Sequence, residues 1–141
     1  MRSGLVSLLT NESTVSALVG SRVYVNKAPQ TVYSAGKRTP KLAPHIVITQ
    51  MGSNENGSLD GSGELRFIDF DIDCKADRSV EAENIGNAVR DFIKDYTGTA
   101  GTYTIAAVHV QDEQDGYEPP TDDSDVGVHV VTLDVRIDFN P

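Results

Sequence analysis

The sequence predicts an α+β fold: a two-layer sandwich with a mainly antiparallel four-stranded sheet, two helices in the order α-β-β-α-β-β, and long loops. Three observations carry this. After Glu64 the residues alternate, with Ile68, Phe70, Ile72 and Cys74 on one side and Asp69, Asp71 and Asp73 on the other. A period of two marks a strand with one dry and one wet face. From Ser79 the period lengthens, and Ile85, Ala88, Val89, Phe92 and Tyr96 recur every three or four residues on one side of a helix. Gly127 to Phe139 alternates again, with His129, Val131, Leu133, Val135, Ile137 and Phe139 sharing a face.

The other elements follow in chain order. Leu5, Val6, Leu8, Leu9, Val15, Leu18 and Val19 predict an N-terminal helix, interrupted near Asn11 where Thr10 or Asn11 is placed to cap a second turn, and stopped by Gly20. Arg22 to Val25 is short and extended. Residues 26–43 have little periodicity and are punctuated by Pro29, Gly36 and Pro40. Such a length without regular structure marks a binding arm or a disordered segment, and this one is basic. His45 to Gln50 is a strand rich in branched residues. Residues 51–63 carry Asn, Asp and Gly turn chemistry and join it to the next strand as a long antiparallel hairpin. In the helix that follows, Ser79 is placed to cap the start, with Glu81 and Glu83 at its positive end and Gly98 at its exit. Residues 97–101 read as a turn, Tyr103 to Val110 as a third strand, and residues 111–125 as an acidic loop with seven carboxylates and no base.

A chain of 141 residues fits a single domain with one core. No apolar run is long enough to cross a bilayer, and the N-terminus lacks the pattern of a secretory signal. Cys74, on the inward face of its strand, reads as a small buried hydrophobe. The charge is segregated. Residues 1–54 hold six basic groups and one acid, a net of +5, and the rest holds six basic groups and twenty acids, a net of −14. Their total, −9, makes a poor general DNA binder, while the segregation points to complementarity within the fold or between copies.

Three clusters invite chemistry. Residues 111–122 place Gly116 at the glycine position of a calcium-binding loop, with Glu113 and Asp115 as partial ligands, but Gln111 and Asp122 stand at the ends where such loops need stronger ligands. The loop reads as a solvated acidic hairpin tip, with a small metal- or ligand-binding module as the alternative. His109 and His129 lie on strands that could be neighbours, but no third ligand has the right spacing, and they read as ordinary strand histidines. Asp69, Asp71 and Asp73 form a carboxylate row suited to solvent or to a neighbour's basic arm. No nucleophile elbow, phosphate loop or base-stacking pattern is present. The reading is a protein without a reaction and without a cofactor.

The segment Ala17 to Tyr24 (ALVGSRVY) with Ala28-Pro29 after it, the strand at Ala43 to Gln50 (APHIVITQ), the strand-then-helix pattern around Ser79 to Val89 and a last strand after a long loop resemble the tail-completion or tail-terminator proteins of long-tailed bacteriophages. The resemblance spans nearly the whole chain. It implies a virion protein whose copies form a ring, usually of six, that ends the tail tube, meets the tail tube protein and the head connector, and lets DNA pass through its centre. A head-completion or stopper protein of the neck is the neighbouring alternative. It carries no catalytic residues. The long acidic loop and basic arm depart from the family pattern, and from the charge layout Lys27, Lys37, Arg38 and Lys41 are expected to meet Asp69, Asp71 and Asp73 of the next copy.

Overall fold

The computed structural model describes residues 1–28, 43–54, 66–119 and 127–140. It corrects the predicted architecture. Instead of four strands and two helices, a curled, mixed six-stranded sheet carries three helices, α1 (Arg2–Asn11), α2 (Ser13–Val19) and α3 (Ser79–Ile93). The strands are β1 (Val23–Val25), β2 (His45–Asn54), β3 (Arg66–Ala76), β4 (Gly98–Ala100), β5 (Tyr103–Glu118) and β6 (Val128–Asn140), in the spatial order β1-β2-β3-β6-β5-β4.

The added strands are the two shortest. β1 pairs with β2 in parallel, Val23 beside Ile46 and Val25 beside Ile48. Parallel neighbours need a long crossover, and residues 26–44 supply it. β4 replaces the predicted turn: Gly98–Ala100 pair back onto β5, and Gly101 at φ +62° makes the tight reversal that a side chain would strain. The N-terminal helix divides at Glu12, whose extended backbone ends α1 and whose carboxylate accepts from the Thr14 amide. Glu12, not Thr10 or Asn11, is therefore the cap. α3 likewise begins after Arg78 as its N-cap residue, without the predicted Ser79 side-chain cap, and closes at Lys94, well before Gly98.

The acidic loop is also corrected. Gln111 to Glu118 continue β5, paired with Val128 to Asp134 of β6, and of this loop only residues 120–125 lie outside the described set. All eight residues are exposed, so the apolar alternation that announces a strand is absent while the backbone ladder is formed.

One face of the sheet is buried. Ile46 and Ile48 of β2, Phe70, Ile72 and Cys74 of β3, and Leu133, Val135 and Ile137 of β6 pack with Leu5, Leu9, Val15, Val19, Ile85 and Val89 from the helices. α3 lies on β3 and β6, while α1 touches both β1 and β4, the two outermost strands. A sheet whose outer strands both reach one helix must curl around it, which yields a half-barrel filled by helices. Gly4 sets the closeness of that seam, since a Cβ there would stand 2.6 Å from the Ala100 carbonyl carbon. Cys74 is fully buried in this core, and the loss of solvation pushes its thiol pKa strongly upward. It is inert as a nucleophile at neutral pH.

Candidate functional site

The other face is open, and the carboxylate row lies on it. Directly opposite residues in antiparallel strands share a face. The register sets Asp69 against Arg136, Asp71 against Asp134 and Asp73 against Thr132. On the far side of β6, Asp112 stands against Asp134 and His109 against Arg136. Six aspartates (Asp69, Asp71, Asp73, Asp112, Asp134 and Asp138) thus share one surface.

The three aspartates of β3 look alike in sequence and differ in the fold. Asp69 is satisfied within its own subunit: Arg136 Nε donates to Oδ1 at 2.8 Å and Nη2 to Oδ2 at 3.0 Å. The same guanidinium lies 4.0 Å above the Phe67 ring, and the hydrogen bonds it donates to Asp69 hold its pKa above the ordinary arginine value. Asp73 accepts from the Thr132 hydroxyl at 2.7 Å. Asp71 faces Asp134, and partial burial, then the charges of Asp134 and Asp73, raise its pKa above the usual carboxylate value. Beyond them, His109 Nε2 lies 2.9 Å from Asp138 Oδ2. The centre of the face, Asp71, Asp112 and Asp134, is a run of like charges across three strands.

Of the basic residues, Lys27 is exposed just past β1, and Lys37, Arg38 and Lys41 lie outside the described residues. The described ends of the basic segment are placed, however. Ala28 and Ala43 both pack on Val128 and Val130, a small apolar cluster at the end of the sheet where β5 also stops. His45 is buried there, its Nδ1 donating to the Ala43 carbonyl at 2.9 Å, and burial lowers its pKa.

The histidine pair is not brought together. His109 is opposite Arg136 on the open face, whereas His129 is opposite Tyr117, their rings 4.8 Å apart. The calcium-loop reading fares no better: Glu113 pairs with Arg90 at 2.8 Å and Glu118 with Lys75 at 3.4 Å, and among the described residues no three acidic, histidine or cysteine groups are arranged to hold a metal. Arg136, which engages Asp69, is the residue of this face that sequence reasoning missed. The pattern Asp134-x-Arg136-x-Asp138 repeats the spacing of the β3 row and was its available signal.

A small domain with a charged open sheet face, a filled core and a basic segment rooted beside an acidic strand has the surface chemistry of a structural subunit. The chain belongs to the tail completion protein gp17 family, whose model matches residues 3–138. It is a phage tail-completion protein, a component of the tail and neck of a virion. Its fold is similar to that of a chain in the virion of a native gene transfer agent particle, at 16% identity and a TM-score of 0.67 over 100% of this chain and 95% of that one. A second solved structure matches at 15% identity and a TM-score of 0.52, over 99% of this chain and 95% of the other. At such identities the likeness is one of fold. No curated protein matches significantly.

Proposed function

We propose that copies of this chain close into a ring, of six subunits as the family resemblance implies, that ends the tail tube and forms the surface met by the head connector. The protein works by assembly and performs no reaction. The observation that carries this reading, beside family membership, is the open face, where Asp71, Asp112 and Asp134 form a run without a basic partner among the described residues. Such a face repels phosphates, so turned toward a lumen it lets DNA slide without binding.

Subunits of a ring meet through two different surfaces, and charge supplies the complementarity. The basic segment of one copy, with Lys27, Lys37, Arg38 and Lys41, lies toward the aspartates of the next. Asp69 is already engaged by Arg136 and Asp71 belongs to the run turned to the lumen, so the carboxylates left for the basic segment lie along the acidic margin at β5. Electron microscopy of the purified protein, and of particles made without it, tests the reading. Rings, and tails of abnormal length or without heads, are expected. Tails of normal length joined to heads in its absence would refute it. Attachment to filled heads rather than isolated tails would move it to head completion.

A further inference from the structure

β5 leaves a sheet edge open. Among the described residues its pairing outside β6 is to β4, and only over Tyr103 to Ile105, so Ala106 to Glu118 present one row of backbone N–H and C=O groups with no strand beside it. Natural sheets guard such edges with lysine, proline, bulges or short strands. Here register shifts at Ile105/Ala107 and Val110/Asp112 disturb the upper part, but below Asp112 pairing with β6 runs regularly to Glu118. That lower stretch carries Asp112, Glu113, Asp115 and Glu118, and no base.

Acidic guarding has a directional effect. Two such edges laid together would set carboxylates against carboxylates, which disfavours a two-fold dimer and leaves each edge free for a different surface. A basic extended segment suits it, since backbone pairing adds to charge attraction. The chain contains one. Residues 29–42 include Lys37, Arg38 and Lys41 with no acid, and hold the strand-forming run Thr31-Val32-Tyr33. Their roots, Ala28 and Ala43, pack on Val128 and Val130, at the sheet end where Glu118 pairs with Val128. Fourteen residues going out and back from there reach about 23 Å at roughly 3.3 Å per residue, enough to cross to an adjoining subunit.

We infer that the open edge of β5, residues 106–118, is the docking strand for the basic segment 29–42 of a neighbouring copy, which joins the sheet as an added strand. This rests on the ring reading and names its contact. Reversing the edge charges with Asp112→Lys and Asp115→Lys in the full chain is expected to raise the concentration needed for assembly at least about tenfold, a change of roughly 1.4 kcal/mol. Adding Lys37→Glu, Arg38→Glu and Lys41→Glu to the same chain is expected to restore assembly. Circular dichroism checks that each variant is folded, and the neutral pair Asp112→Asn and Asp115→Asn replaces the reversal if it is not. Hydrogen exchange reads the strand itself: alternate amides within Gln111 to Glu118 are expected to become protected on assembly.

A wild-type chain that stays monomeric overturns the ring reading. A wild type that assembles while the edge variant assembles equally well, or while β5 amides exchange unchanged, overturns this inference alone. Protection that is already complete in the dilute monomer means the segment docks within its own chain, and also overturns it. Protection that appears only on adding tails assigns the edge to a different protein and does the same.

Discussion

Replacing Asp134 by Asn is expected to stabilise the isolated subunit, and the register sets the size of the effect. Asp134 stands opposite Asp71 on one side and Asp112 on the other. Directly opposite side chains in a sheet lie about 5 Å apart at Cβ, which puts the carboxylate charges at about 6 Å. Two unit charges at about 6 Å repel by about 0.7 kcal/mol in water. Two such pairs give about 1.4 kcal/mol without salt, and a screening length of about 8 Å at physiological ionic strength halves it. For a chain of this size, 1 kcal/mol moves the midpoint by about 4 °C, so a rise of about 5 °C at low salt and about 3 °C at physiological salt is expected. Thermal unfolding followed by circular dichroism in 20 mM and 500 mM salt measures both the gain and its decay. Asp69→Asn, two positions from Asp71 on the same face, is expected to do the reverse, because it breaks the two-pronged pair with Arg136. A lowered midpoint for Asp134→Asn, or a gain that does not shrink with salt, refutes the reasoning.

Other substitutions probe the frame. Gly4→Ala gains about 1 kcal/mol of helix propensity but drives a Cβ to 2.6 Å from the Ala100 carbonyl carbon and 2.9 Å from the Gly101 nitrogen. Overpacking against backbone costs about 1–3 kcal/mol, so a net loss is expected by urea denaturation, while Gly52→Ala, with nothing within 4 Å, leaves stability unchanged. Phe70→Ala removes a fully buried ring and is expected to cost about 3–5 kcal/mol in the same assay. On acidification two groups act in sequence. The lowered pKa of His45 means the unfolded chain takes up that proton first, so its contribution is complete above about pH 6.5 and is lost as pH falls below it. The raised pKa of Asp71 has the opposite sign: repulsion is relieved, and stability regained, as pH falls through it. His45→Gln is expected to flatten the first limb and Asp71→Asn the second, read from midpoints between pH 7.5 and 4.

The long strands and α3 were legible because each repeats its period several times. Ile68, Phe70, Ile72 and Cys74 are buried as their alternation predicts, as are Val131 to Phe139 at every second position. β1 and β4 were not legible as strands, since three residues hold no period and β1 gains its partner only through a long crossover. The lower half of β5 was hidden for a different reason. A strand that is wet on both faces and open along one edge carries the composition of a loop. The aspartate row was visible, but its division was not: whether a carboxylate meets Arg136 or Asp134 is fixed by register with a strand more than sixty residues away. The family pattern reached the tail structural role where local chemistry did not, because that role belongs to surfaces.

The sealed position of Cys74 bears on the life of the particle. A virion is made in a reducing cell and then persists in aerated surroundings, where exposed sulfhydryls oxidise and stitch neighbouring proteins together at random. With its one thiol buried in the core on β3, this subunit offers no sulfhydryl for such cross-linking. A virion subunit built this way is spared random disulfide cross-linking as the particle ages.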